Sequence, residues 1–476
     1  MQRMPEINAM VSIRRSYRAS FSPDGKTLAF ISDRSGVPQV WTVGADGSAL
    51  KAVTTFEDPV RVVLWSPDGA WLAALVAPGG GMNRQIWFMH PDGSGAKRIT
   101  AGGKDNNFIG VFSHDGKKLG YSANTRDPAS ADPYLYDIAS GTSTRVAEVQ
   151  GFGFVQDISR DGKQVLLFHS RTRGDADFLV HDIAAGTDIL LTPHQGPAYL
   201  DAGAFSADGK YVYFAGDLRR DRVALFRAAL RGKGAGAPEL LAARDDADLF
   251  DVIFDERFTT GVLSWNASGR SELAWYDPKR NLATGIAEPP AEILYGAGLS
   301  RDGKRLTLTG EGAVQPTNVF VADLPPPAGA RKARVHFVPI TDSPHEGVEL
   351  SKLVRPELVR YSAKDGLPLT GWLYRPAGAS GPGPIVLSFH GGPEGQERPY
   401  FSATYQALLA HGIAVLAPNV RGSSGFGKRF VNLDNGALRK GGPSRTSPPP
   451  STGRCRAGSR IPSGWASTAA RTVGIW

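Results

Sequence analysis

The sequence has very little cysteine and no long apolar run. Cys455 is the only cysteine in 476 residues, so neither an intramolecular disulfide nor a cysteine-based metal cluster can form, and we expect no metal or other cofactor. This composition fits a reducing compartment. No stretch approaches the roughly 18 consecutive apolar residues of a membrane helix, and the first 15 residues lack the apolar core of a secretory signal. We therefore expect a cytoplasmic protein without a membrane partner, or a periplasmic one if the start is misassigned.

The basic charge is concentrated in one segment. The chain carries a formal net charge of +8, but residues 441–476 hold five arginines and no Asp, Glu or Lys. The first 440 residues therefore carry a net charge of only +3. A nucleic-acid-binding protein would be expected to spread its basic residues over a folded face, so we expect no nucleic-acid partner.

A repeat dominates the first 340 residues. The string FSPDGK, ending at Lys26, returns as WSPDGA, FSHDGK, ISRDGK, FSADGK, a degenerate FDERF and LSRDGK. The spacings between successive aspartates are 44, 47, 46, 47, 47 and 47 residues. These aspartates are Asp24, Asp68, Asp115, Asp161, Asp208, Asp255 and Asp302. Asp-Gly is typical of tight hairpin turns, so we assign these aspartates to turns and not to catalysis or metal binding.

In each copy of the repeat, strands in which apolar and polar residues alternate are separated by turns. About four strands of five to six residues fill a unit of this length, and four-stranded units at this period are typical of a β-propeller. The sequence therefore predicts a mainly β protein with a seven-bladed β-propeller over residues 21–341. Residues 1–20 are predicted to form an N-terminal arm or to supply a strand that closes the ring. We assign five aromatic side chains to packing between blades: Trp41, Trp65, Trp87, Phe112 and Phe205.

The period stops near residue 342. Residues 342–355 are predicted to be a linker, and residues 356–440 show a different pattern. Two strands flank Asp365-Gly366, and short apolar runs at 384–389 and 413–417 are typical of buried strands on either side of a helix at 401–410. Strand, helix and strand in this order indicate a parallel crossover. We therefore predict an α/β sheet in residues 356–440.

Two motifs in this second part carry a family resemblance. The segments SFHGGPEGQ and APNVRGSSGFGKRF follow the propeller in this order. Together they resemble the prolyl oligopeptidase family of serine peptidases, in particular its acylaminoacyl-peptidase and dipeptidyl-aminopeptidase branches. The resemblance implies that residues 356–440 are the N-terminal part of an incomplete α/β-hydrolase domain. In the family the propeller caps this domain and restricts access to short peptides.

The resemblance also gives the loop after the first apolar strand a role. In an intact member of the family, Gly391 and Gly392 would form the oxyanion-hole loop, in which Gly392 presents a backbone N–H and Gly391 shapes the turn. His390 is expected to hold this loop and not to act as the catalytic base. Residues 421–427 are expected to be structural.

The catalytic triad is missing from these 476 residues. The fold uses G-x-S-x-G followed by an acid and a histidine, but no serine has glycine at both flanking positions, and the last histidine is His411. We therefore expect a truncated, inactive chain. We expect residues 441–476 to be an aberrant, disordered tail that a reading-frame shift near 437–441 would explain, with a natural disordered linker as the alternative. A second hypothesis is a non-catalytic binding or scaffold protein, because the propeller alone resembles Tol-type propellers.

Overall fold

The computed structural model describes residues 7–232, 234–324, 332–392 and 394–434. The predicted tail at 441–476 lies outside these residues. Within them, the seven predicted blades are present as successive sheets with four antiparallel strands each, and blades 5 and 6 have one additional short strand, which confirms the predicted propeller.

The first three blades use twelve strands in chain order. These are β1 (Ser16–Phe21), β2 (Thr27–Ser32), β3 (Gln39–Gly44) and β4 (Lys51–Ala52); β5 (Val60–Trp65), β6 (Leu72–Val76), β7 (Gln85–Met89) and β8 (Lys97–Arg98); and β9 (Asn107–Phe112), β10 (Lys118–Asp127), β11 (Ser130–Asp137) and β12 (Thr142–Arg145).

Blades 4 and 5 continue the order, and blade 5 has one additional short strand. Their strands are β13 (Phe152–Ile158), β14 (Gln164–Thr172), β15 (Asp175–Asp182) and β16 (Thr187–Leu190); then β17 (Leu200–Phe205), β18 (Tyr211–Gly216), β19 (Ala224–Arg231), β20 (Gly234–Ala235) and β21 (Glu239–Ala242).

Blades 6 and 7 are interleaved at their outer edges, because β29 pairs in parallel with β25 before the chain returns to blade 7. The strands are β22 (Asp248–Phe254), β23 (Gly261–Ala267), β24 (Arg270–Asp277), β25 (Leu282–Ala287), β26 (Ile293–Leu299), β27 (Arg305–Gly312), β28 (Gln315–Asp323), β29 (Lys332–Arg334) and β30 (Phe337–Pro339).

Apolar packing between neighbouring blades closes the ring. A buried cluster lies between each pair of adjacent blades, and one of them joins Phe30 and Val43 of blade 1 to Val319 and Val321 of blade 7. The others join blades 1–2, 2–3, 3–4, 4–5, 5–6 and 6–7. The five aromatic side chains assigned to this packing all lie in or against these clusters. Burial of apolar surface between blades therefore closes the ring without a strand shared by blades 1 and 7.

The first strand of blade 1 corrects the predicted N-terminal arm. β1 begins at Ser16 and pairs antiparallel with β2, so residues 16–20 belong to the propeller and not to an arm. The reason is the position of the repeated turn, which joins the first and second strands of a blade and so needs a strand before it. The backbone N–H of Arg18 also donates to Thr309 Oγ1 of blade 7 at 2.9 Å, which supports the ring closure.

The repeated turn has a fixed set of hydrogen bonds. In blade 1, Ser22 Oγ donates to Asp24 Oδ1 at 2.6 Å, and the Thr27 N–H donates to Ser22 Oγ at 3.0 Å. Gly25 adopts a φ of +67°, where glycine has no Cβ penalty. The same hydrogen bonds recur in blades 2, 3, 4, 5 and 7. These aspartates are turn residues, as predicted.

Blade 6 departs from the predicted alignment of the repeat. Asp255 occupies the position of the serine, because its Oδ1 accepts from the Thr260 N–H at 2.6 Å. Phe258 takes the position of the glycine, with a φ of +56° and its N–H bonded to the Asp255 carbonyl at 2.9 Å. Asp255 is therefore not equivalent to the other six aspartates, although the sixth blade exists.

The second part contains a four-stranded mixed sheet with the order β31-β32-β34-β33. β32 pairs antiparallel with β31 and β34, and β33 pairs in parallel with β34, which confirms the predicted crossover. Its strands are β31 (Glu357–Ser362), β32 (Pro368–Tyr374), β33 (Ile385–Leu387) and β34 (Ala414–Asn419). In the described part of the chain β33 has a neighbour on one side only.

Helices are few and short. They are α1 (Ile7–Val11), α2 (Ala403–Ala410) and α3 (Lys428–Val431), with single 3₁₀ turns at Pro78–Gly80, Leu350–Lys352 and Asn432–Asp434. Ser402 caps α2 by accepting from the Tyr405 N–H, and Met10 of α1 packs against Ala407 of α2. No helix among the described residues has the length and apolar character needed to cross a bilayer.

Candidate functional site

The loop that follows β33 holds the two glycines predicted for the oxyanion hole. Gly391 and Gly392 are both exposed, and Gly392 has a φ of +54°. The carbonyl of Gly392 accepts from the Gly395 N–H at 2.9 Å, which closes the turn. Among the described residues no acceptor takes the N–H of Gly391 or of Gly392. Two unpaired, exposed amide donors on a tight turn can bind an anionic oxygen.

His390 is hydrogen-bonded to a buried serine side chain. Its Nε2 lies 2.8 Å from Ser423 Oγ, and Ser423 Oγ donates to the Val420 carbonyl at 2.7 Å. Because the hydroxyl proton is already used, His390 Nε2 is the donor and Ser423 the acceptor. Burial lowers the pKa of His390, and Ser423 is fully buried. The pair therefore connects the loop of residues 390–392 and 394–398, which we call the glycine loop, to the segment after β34.

The glycine loop also contacts the propeller. Arg173, in the turn between β14 and β15, pairs with Glu394 at 3.0 Å. Gln396 Oε1 accepts from Asn266 Nδ2 of blade 6 at 2.7 Å. The buried Arg398 donates from Nε to the Gly269 carbonyl at 3.0 Å. The loop thus lies at the junction of the two parts, facing blades 4 and 6.

Glu397 is a buried carboxyl in the middle of this loop. Its backbone is fixed, since the N–H donates to Asn419 Oδ1 at 2.8 Å and the carbonyl accepts from Trp372 Nε1 at 3.0 Å. The residue is 9% exposed. Burial raises the pKa of Glu397 to about 7, because an ionised carboxylate loses its hydration there.

The motif NVRGSSGFGKR forms a clamp between the sheet and blades 5 and 6. Lys428 Nζ contacts Asp217 Oδ1 at 3.0 Å. The Gly427 N–H donates to Asp248 Oδ2 at 3.2 Å, and Arg222 Nη1 donates to the Gly425 carbonyl at 3.0 Å. Sequence reasoning expected a structural role for residues 421–427 but missed the acidic partners, which lie about 200 residues earlier in the chain.

Among the described residues, the exposed backbone N–H groups of Gly391 and Gly392 have no activated serine beside them. In the part of the chain that the structure describes, the bond from His390 to Ser423 is the one hydrogen bond between a histidine side chain and a serine side chain. No group of three or more His, Cys, Asp or Glu residues that could hold a metal ion was found among the described residues.

Comparisons with known proteins place this geometry in context. No family model matches the chain. It is 28% identical over 444 residues to dipeptidyl aminopeptidase BIII of Pseudoxanthomonas mexicana, covering 87% of this chain and 60% of that protein. It is 27% identical over 440 residues to the uncharacterized peptidase YuxL of Bacillus subtilis, covering 89% of this chain and 64% of that protein. The fold is similar to a solved prolyl endopeptidase structure, with a TM-score of 0.75 and 15% identity, covering 91% of this chain and 65% of the other.

The chain is similar in sequence to two peptidases, and its fold is similar to that of a prolyl endopeptidase. This confirms the predicted resemblance. Both similar peptidases match along most of the chain, so the relation extends beyond the propeller. The chain spans 60% and 64% of the lengths of these two family relatives.

Proposed function

We propose that this chain derives from a serine-type peptidase of the prolyl oligopeptidase family that hydrolyses short peptides through an acyl-enzyme. The supporting observation is the similarity to two peptidases over 440 residues or more, which runs through both the propeller and the glycine loop. In acyl transfer a nucleophile attacks the peptide carbonyl, and donors stabilise the developing oxyanion. The free amides of Gly391 and Gly392 would supply these donors.

We also propose that the 476-residue chain is inactive. Its residues contain neither G-x-S-x-G nor a histidine after residue 411, and the hydroxyl of Ser423 is buried and bonded. The test is labelling of the purified chain with a fluorophosphonate probe, together with hydrolysis of dipeptide p-nitroanilides. We expect neither labelling nor hydrolysis. Stoichiometric labelling of any serine would contradict the inactive state and identify the nucleophile.

The origin of residues 441–476 stays a prediction, because they lie outside the described residues. Sequencing the coding DNA from the codon of Asn432 to about 800 nucleotides past the stop tests the frameshift. We expect another frame to encode G-x-S-x-G and then an acid and a histidine. The repaired protein should then react with the probe at that serine. If no frame encodes these motifs, the frameshift proposal fails.

The second candidate is a non-catalytic propeller that binds partners. It is favoured by the closed ring of blades, which is complete among the described residues. The glycine loop and the clamp favour the peptidase origin, since a binding propeller has no need of an oxyanion loop. Failure of the repaired protein to hydrolyse any peptide would favour the binding protein instead.

A further inference from the structure

Three arginines form a cationic cluster at one end of the propeller. Arg18 lies at the start of β1, Arg61 at the start of β5, and Arg84 directly before β7. Arg18 Nη1 donates to the Arg61 carbonyl at 3.3 Å. The pKa of Arg84 is lowered by burial and then by the positive charges of Arg61 and Arg18. We refer to these three residues as the arginine cluster.

The arginine cluster lacks acidic partners. In the described part of the chain no carboxylate oxygen lies within 4 Å of these guanidinium groups, although 27 other ion pairs are present there. Three like charges near one another repel. A site of this kind has the charge to bind an anion that the folded chain does not supply.

The backbone and its neighbours hold two of these arginines in place. Arg18 lies in a bulge of β1 with a φ of +54°, and its N–H is bonded to Thr309. Bulges redirect side chains and are frequent beside binding sites. The guanidinium of Arg84 stacks on the ring of Phe108, 4.5 Å from its centroid, and its Nε donates to Asn106 Oδ1 at 3.1 Å. These contacts leave both Nη groups of Arg84 free to bind a planar carboxylate.

The arginine cluster lies at the end of the propeller that faces the α/β part. Arg84 follows the loop between the second and third strands of blade 2. The equivalent loops of blades 4 to 7 all contact the α/β part, through Arg173, Asp221, Gly269 and Ala313. The cluster and the glycine loop therefore lie at the same end of the propeller.

We propose that the arginine cluster is a subsite for a carboxylate of a peptide ligand. The proposal rests on the proposed peptidase function. Guanidinium groups bind carboxylates through paired charge-assisted hydrogen bonds. The carboxylate belongs either to the C-terminus of a short peptide or to an Asp or Glu side chain within it.

The test measures peptide binding to the full 476-residue chain by ligand-observed NMR, so that it needs no catalysis. One pair of probes is Ala-Ala-Phe as the free acid and as the C-terminal amide. A second pair is N-acetyl-Ala-Glu-Ala-amide and its Gln analogue. We expect the acid of at least one pair to bind at least tenfold more tightly than its neutral partner. The pair that shows the difference identifies the source of the carboxylate.

Substitutions locate the effect. Arg61→Gln and Arg84→Gln should each remove most of the preference for the acid, and Arg61 is exposed, so its substitution should leave the fold intact. Arg257→Gln is the matched control, since it makes the same charge change at the exposed, opposite end of the propeller. Equal binding of acid and neutral probes overturns the subsite and leaves the peptidase proposal standing. Absence of any peptide binding also overturns the subsite, whereas the peptidase origin is decided by labelling of the repaired protein.

Discussion

Glu256 of blade 6 meets His114 of blade 3, with 3.0 Å between Oε1 and Nδ1. Blades 3 and 6 stand on opposite sides of a seven-membered ring, so this contact lies on its axis. Arg160 and Arg301 approach the same carboxylate oxygen at 3.5 and 3.9 Å. Each of these four residues directly follows the first residue of a repeated turn. The side chain at that position of the turn therefore points to the axis of the ring, at the end of the propeller away from the α/β part.

The contact between Glu256 and His114 should make stability depend on pH. The hydrogen bond to Glu256 raises the pKa of His114. The pKa of Glu256 is lowered: burial acts to raise it, but the bond to His114 and the nearby arginines outweigh that effect. The His114 contribution is present below its unfolded pKa, near 6.5, and is lost as the pH rises through the higher folded value. The Glu256 contribution is present above its unfolded pKa, near 4.5, and is lost as the pH falls further.

The Glu256→Gln variant tests this relationship. We expect it to lose about 1 kcal/mol near pH 6, and to lose less than that at pH 9, where His114 is neutral. The measurement is urea unfolding at both values of pH. Glu239→Gln, which removes an exposed carboxylate from an ion pair with Arg227, is the control. An equal loss for Glu256→Gln at pH 6 and pH 9 would contradict the role of His114.

Glu397 should lower the stability of the fold as the pH rises. Burial raises the pKa of its carboxyl to about 7 in the folded chain, above the ordinary value near 4.5. The folded state therefore favours the neutral acid, and stability falls as the pH rises from about 4.5 to 7. Glu397→Gln should be more stable than the parent chain by roughly 1–3 kcal/mol at pH 8 and similar to it at pH 4.

Thermal or urea unfolding at pH 4 and pH 8 checks the Glu397 prediction. Glu357→Gln is the matched control, because Glu357 is exposed in β31. A Glu397→Gln variant that is less stable at pH 8 would mean that the ionised carboxylate is stabilised by its surroundings, which would refute the argument from burial.

The clamp predicts a strong effect from Lys428. Asp217 is 4% exposed, and Lys428 Nζ is its counter-charge at 3.0 Å. Removing one member of a buried pair leaves an uncompensated charge. Lys428→Gln should therefore destabilise the junction by about 2–3 kcal/mol and raise the rate of amide exchange in β34. Arg429→Gln is the control, since its side chain is 88% exposed; comparable exchange in the two variants would contradict the prediction.

Gly391 and Gly392 should differ in their tolerance of alanine. Gly392 has a φ of +54°, which is unfavourable for a residue with a Cβ, whereas Gly391 has ordinary φ and open space around it. Gly392→Ala should cost about 1 kcal/mol, and Gly391→Ala less than about 0.5 kcal/mol. Thermal unfolding of both variants measures the two losses of stability. Equal losses would show that residue 392 does not keep its positive φ in solution.

The sequence predicted the propeller because each blade repeats a local pattern. A serine, an Asp-Gly turn and two alternating strands lie within one period of about 47 residues, so the hydrogen bonds of the turn follow from neighbours in the chain. Blade 6 shows the limit of that reasoning. There Asp255 replaces the serine as acceptor and Phe258 adopts the positive φ. The aspartate kept the expected spacing while its role changed.

The candidate site was predictable only where a motif is contiguous. HGGP marks the loop of Gly391 and Gly392, whose backbone N–H groups have no acceptor among the described residues. The partners of the clamp and the members of the arginine cluster come from different blades. No periodicity links Lys428 to Asp217, or Arg18 to Arg84, because the ring of blades alone brings them together.

The open side of β33 leads to the last prediction. Among the described residues β33 pairs with β34 only, and Phe389 directly after it is 50% exposed. An apolar strand with a free edge opens more readily than the closed ring of blades. Limited digestion with thermolysin should therefore cut residues 350–434 first and leave a resistant fragment of about residues 1–340. Met82 lies in a loop of blade 2 and is 67% exposed, so it is the internal control. Cleavage there as early as in residues 350–434 would show that exposure alone, without an open strand edge, decides where the protease cuts. Equal resistance of residues 350–434 and the blades would show that the clamp and the loop contacts outweigh the open edge.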